Sequence, residues 1–152
     1  MRTSAAGNDV KGRARGFTLL ELLVVVAIIA LGTAGVSLAL RDSAQAGLER
    51  EADRLAALFE AARARSRASG AAVQWQATAD GFAFEGLPPG TLPQHWLAEG
   101  TQVQGAARVL LGPEPLIGAQ AVLLVRAGAA GPAWRVATDG IRPFAAQAQE
   151  QP

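Results

Sequence analysis

Arg15-Gly16-Phe17-Thr18-Leu19-Leu20-Glu21 opens a run that continues Leu22-Leu23-Val24-Val25-Val26-Ala27-Ile28-Ile29-Ala30 and stays apolar as far as Leu40, broken only by Thr18, Glu21, Thr33 and Ser37. From Leu22 to Leu40, 19 residues pass without a charge. A bilayer core asks for about 20 apolar residues in helical form. Phe17–Leu40 supplies 24, or roughly 36 Å of helix. A core helix of that length would need apolar partners all round, and the rest of the chain offers only short alternating runs. The stretch is therefore expected to cross a membrane.

Flanking charge orients it. Residues 1–16 carry Arg2, Lys11, Arg13 and Arg15 against Asp9, a net of +3, while the remaining 136 residues carry a net of −2. On the far side Arg41 and Asp42 cancel. Lysine and arginine stay on the cytoplasmic face. Residues 1–16 are thus expected in the cytoplasm and residues 41–152 outside it.

Two readings of the run compete. Ala44-Gln45-Ala46 matches an A-x-A cleavage site, as in a conventional signal peptide that would leave a mature start at Gly47. The run is longer than the 7–15 residues usual for such a signal, and the match is easily met in an alanine-rich chain. The other reading rests on Glu21. A carboxylate inside a membrane helix is costly unless it sits at the headgroup level or has a partner.

The residues from Arg15 to Ala30 resemble the class III signal of type IV pilins and type II secretion pseudopilins. The resemblance implies a prepilin peptidase that cuts between Gly16 and Phe17 and N-methylates Phe17. It makes Glu21 the fifth mature residue and an assembly residue. The 16-residue leader is longer than is usual for pseudopilins. The implied chemistry is physically sensible. Glycine offers an unhindered scissile backbone. In a bundle of packed helices, Glu21 of one subunit can neutralise the new Phe17 amine of its neighbour, and both charges are otherwise costly there.

Beyond residue 40 an apolar stripe continues at helical spacing through Leu48, Ala52, Leu55, Leu58, Phe59 and Ala62. Glu49, Arg50, Glu51, Asp53, Arg54 and Glu60 are expected on the other, solvent-facing side. Arg63, Arg65 and Arg67 gather where a helix dipole favours cations, and Ser69-Gly70 is a stop signal. The expectation is one helix over 17–69.

From residue 71 the period changes to two. Val73, Trp75 and Ala77 alternate with polar residues, Asp80-Gly81 signals a hairpin, and Phe82 and Phe84 follow on alternate positions. Leu87–Gly100 is expected as loop, Thr101–Leu111 as a strand ending at Gly112-Pro113-Glu114-Pro115, and Ala121–Arg126 as a short strand. Trp134–Ala137 and Ile141–Ala145 are expected as a final hairpin across Thr138-Asp139-Gly140, with residues 145–152 as a frayed tail. The fold class is α+β, pilin-like: a long N-terminal helix, transmembrane in its first half, packed on an antiparallel β-sheet or two-sheet domain. The expected organisation is a cleaved leader (1–16), a transmembrane helix (17–40), an amphipathic continuation (41–70) and a periplasmic β-rich domain (71–152).

Within the family, Val73–Phe84, Leu111–Leu116 and Ala137–Phe144 resemble the minor pseudopilin H family of the type II secretion system. That resemblance implies a place in the pseudopilus tip, with other major and minor pseudopilins and inner-membrane lipid as partners. Minor type IV pilins of the FimT/FimU kind share the same signature.

Composition narrows the chemistry. Half of the 152 residues are hydrophobic and 18% are charged, which is not the profile of a disordered chain. There is no cysteine, one histidine and no tyrosine, so thiolate sites are excluded and acid–base groups are few. His95 lies in a presumptive loop without histidine or cysteine companions, a poor start for zinc. Asp80, Glu85, Glu99, Glu114 and Asp139 lack the spacing of a calcium loop. No catalytic residue, metal ligand or cofactor is expected. Nucleic acid binding needs a basic patch; the net charge is +1, and Arg63, Arg65 and Arg67 do not share one helical face. Trp75, Phe82, Phe84, Trp96 and Trp134 are expected to fill a core rather than an interface.

Overall fold

The structure is a computed structural model that describes residues 18–128 and 131–149. The chain divides into two compact units, one ending at Ala39 and one beginning at Leu40. Helix α1, Leu19–Ser69, contributes to both.

In the first unit Thr18 caps α1. Its hydroxyl accepts the Glu21 N–H at 3.2 Å and its carbonyl accepts the Leu22 N–H at 3.1 Å. This satisfies backbone donors that a helix start otherwise leaves open. Over Leu19–Val36 the mean hydropathy is 2.5, and none of the segment is buried among the described residues. The Thr33 hydroxyl donates to the Ala30 carbonyl at 2.9 Å, so this polar side chain is satisfied within the helix itself. Such a helix, apolar all round and uncovered, is long and apolar enough to cross a membrane.

In the second unit the expected stripe is the inner face of α1. Leu48, Ala52, Leu55, Phe59 and Ala62 are buried, and Leu58 packs at the margin. The core cluster begins at Leu48 and ends at Phe144, so it is complete without any residue before Leu40. Gly70 ends the helix with φ of 70° and donates its N–H to the Ser66 carbonyl at 2.8 Å, a left-handed stop that suits glycine.

Two antiparallel sheets cover that face. One has the order β2-β1-β4, built from β1 (Gln74–Ala77), β2 (Phe82–Glu85) and β4 (Arg108–Leu110). The other has the order β3-β5-β6-β7, built from β3 (Thr101–Gln104), β5 (Gln120–Arg126), β6 (Ala133–Thr138) and β7 (Ala145–Gln149). Register fixes which residues face inward: Trp75 pairs with Phe84 and with Val109, and all three are buried. The Gln120 side chain joins the sheets, accepting the Leu110 N–H at 2.7 Å and donating to the Leu110 carbonyl at 2.9 Å. Phe59 stands at the centre, edge-on to Trp75 at 5.3 Å and to Phe144 at 4.8 Å. Trp75, Phe82 and Phe84 are buried, as expected; Trp96 and Trp134 are half-buried at the rim.

Three expectations from the sequence are corrected here. Thr101–Leu111 is not one strand. The chain turns at Gly105, φ 83°, and β3 and β4 enter different sheets. The final hairpin is not Trp134–Ala137 with Ile141–Ala145. After β6, Asp139 Oδ1 accepts the N–H groups of Ile141 and Arg142 at 2.9 and 2.7 Å. Thr138 Oγ1 accepts from Gly140 at 2.9 Å and donates to the Arg142 carbonyl at 2.6 Å. These local bonds compete with strand pairing, and Pro143 has no N–H to give. Gly140, φ 94°, lies so close to the Ile117 carbonyl that a Cβ would overlap it. Finally, residues 145–149 are strand β7 rather than a frayed tail, paired from Ala137↔Ala145 to Ala133↔Gln149.

Candidate functional site

The site that the sequence singles out lies at the start of α1. Gly16 and Phe17 fall outside the described residues. Glu21 occupies the first turn of α1, where a carboxylate complements the helix dipole. Its backbone N–H is taken by Thr18, while its carboxylate has no hydrogen bond or ion pair among the described residues.

The second unit shows polar chemistry of another kind. Glu51, expected on the solvent face, is buried. One oxygen accepts the N–H groups of Leu97 and Ala98 at 2.7 and 2.9 Å, and the other faces Arg54 Nη1 at 2.6 Å. Arg54 also donates to the His95 carbonyl at 3.1 Å. Together they tie the loop Leu87–Gly100 to α1. Glu60, also expected outside, accepts the Phe144 N–H at 3.1 Å and stands 3.4 Å from Arg63. Ser66 donates to the Ala71 carbonyl at 2.6 Å. A helix face read as apolar against charged hides these anchors, because a buried carboxylate looks like a surface one until its donors are known.

Arg63 is buried, with Nη2 3.5 Å from the Pro115 carbonyl, whereas Arg65 and Arg67 are exposed. The three arginines therefore do not form one basic patch. The His95 side chain is exposed in its loop. Glu85 accepts a bond from Gln76 at 2.7 Å, and Asp139 holds a turn. Among the described residues no three His, Cys, Asp or Glu side chains come together as a metal site. The Asp139 carboxyl is held below the usual range, first by the Arg142 N–H and then by the Ile141 N–H, both of which bind its charged form.

Residues 11–37 match the family model of the prokaryotic N-terminal methylation motif. The match covers the signal and much of the apolar helix and stops short of the β domain. No curated protein and no solved structure matches the chain. The chain thus carries a prepilin-like signal of the type IV pilin and pseudopilin kind, ahead of an α+β domain consistent with a pilin-like fold. That motif implies processing by a prepilin peptidase and assembly with other pilin-like subunits, and with the apolar helix Leu19–Val36 it fits membrane anchoring.

Proposed function

We propose that this chain is a minor pseudopilin of the type II secretion system. A prepilin peptidase cuts it between Gly16 and Phe17 and methylates Phe17. Residues 1–16 are then the discarded leader, 17–40 the inner-membrane span with its N-terminus cytoplasmic, 41–70 the amphipathic continuation, and 71–152 the periplasmic β-rich domain. The helix waits in the membrane and then enters a short periplasmic filament, where the domain packs at the tip and the assembly helps drive folded proteins across the outer membrane. Glu21 meets the methylated Phe17 amine of the neighbouring subunit.

One observation carries the reading: a methylation motif over 11–37 in register with an uncovered apolar helix whose acid, Glu21, has no partner within the described chain. Support for the H subtype comes from Leu111–Leu116 and Ala137–Phe144. These segments include Pro115 and Phe144, whose backbone groups Arg63 and Glu60 of α1 bind.

The same signal supports a minor type IV pilin. Deleting the gene separates the two: lost exoprotein release with intact twitching supports the pseudopilin, and the reverse supports the pilin. A secreted domain starting at Gly47 fits less well. Ala44 and Gln45, which that cut would remove, bond the domain through Arg126 at 3.1 Å and the Pro132 carbonyl at 3.2 Å.

A further inference from the structure

The four-stranded sheet ends at β7, and among the described residues no strand covers that edge. The two edges of the three-stranded sheet are engaged. The Gln120 amide occupies β4 at Leu110, and the Gln94 carbonyl takes the Phe82 N–H of β2 at 3.0 Å, beside a bridge from Gly81 to His95. Among the described residues, the backbone of Ala145–Gln149 bonds only within the β6–β7 ladder. Sheet edges left in solvent are normally blunted by lysine, proline or a bulge; Ala145-Ala146-Gln147-Ala148-Gln149 has no charge and no proline.

Beside this edge lies an open groove of about 310 Å³. Register places Arg135 opposite Gln147 and Ala137 opposite Ala145, so these four side chains share one face of the sheet. The alanines keep the floor low, and Arg135 and Arg142 supply positive charge. Asp139, on the same wall, is engaged: Oδ1 accepts two backbone N–H groups, and Oδ2 lies 3.7 Å from Arg142 Nε. Arg135 has no anionic partner among the described residues.

We infer that β7 and this groove form a docking edge for an extended acidic segment of a partner polypeptide. The segment adds to the sheet as a further strand, its main chain pairing with β7 and its carboxylates meeting Arg135 and Arg142. Charge complementarity selects such a strand over β7 of a second copy, which brings no acid over Ala145–Gln149. The inference goes beyond the pseudopilin assignment and stands on the domain alone.

Residues 40–152, whose core is self-contained, serve for the test. Amide NMR is recorded during titration with three peptides: an alternating Val/Glu peptide, the same peptide with Lys for Glu, and the Val/Glu peptide with alternate backbone nitrogens methylated. The acidic peptide shifts the β7 and Arg135 amides saturably and slows hydrogen exchange along β7. The lysine peptide, the N-methylated peptide and the Arg135→Glu domain each bind at least about tenfold more weakly, a loss of about 1.4 kcal/mol. Arg135 is exposed, so a native spectrum for Arg135→Glu shows that its fold is intact. Three results overturn the inference: no shift at β7, equal binding of the acidic and lysine peptides, or concentration-dependent pairing of the free domain through β7.

Discussion

Glu51 sits out of water on α1 and holds three donors, the N–H groups of Leu97 and Ala98 and the Arg54 guanidinium. Removing it leaves those N–H groups and a cation without their acceptor. Glu51→Ala is expected to lower domain stability by about 2–4 kcal/mol in urea unfolding, and Glu51→Gln, which keeps one acceptor oxygen, by less. Asp139 makes a weaker statement with a definite sign. Its folded-state pKa is depressed, chiefly by the Arg142 and Ile141 N–H groups. Its contribution is therefore present above the unfolded value of 3.8 and disappears as pH falls through the lower folded value. Melting curves of wild type and Asp139→Ala are expected to differ near neutral pH and to converge in acid.

At the scale of elements, α1 does two jobs with one period. Its inner face carries Phe59, buried against Trp75 of β1 and Phe144 beside β7, so Phe59→Ala is expected to cost about 3–5 kcal/mol in urea unfolding, while the conservative Phe59→Leu costs less. Upstream, over Leu19–Val36, the surface of the same helix is apolar apart from Glu21 and Thr33. Glu21→Ala is expected to be processed and membrane-bound yet fail to enter the filament, read by shearing and immunoblot; incorporation at the wild-type level would show that the carboxylate has no assembly role. Much of this was legible in the sequence. The stripe from Leu48 to Ala62, the stop at Gly70 and the β1–β2 hairpin each follow a local rule of spacing or turn chemistry. What escaped is non-local. Gly105 divides a run of strand-like residues because its two ends pair in different sheets. β7 is a strand of alanine and glutamine whose pairing comes wholly from β6. Glu51, Glu60 and Arg63 look like surface charges until loops distant in sequence bring their partners.

At the scale of the whole molecule, an N-terminal signal is joined to a domain that carries its own core. The apolar segment Leu19–Val36 has no cover among the described residues, which suits a helix that passes from lipid into a bundle of its own kind. Everything in this life cycle follows from prepilin processing, which the methylation motif implies. The most direct test is the N-terminal residue and intact mass of the protein recovered from membranes of cells with and without a prepilin peptidase. A start at methylated Phe17 that depends on the enzyme is expected. A start near Gly47, or an uncut Met1 in the presence of the enzyme, would contradict it.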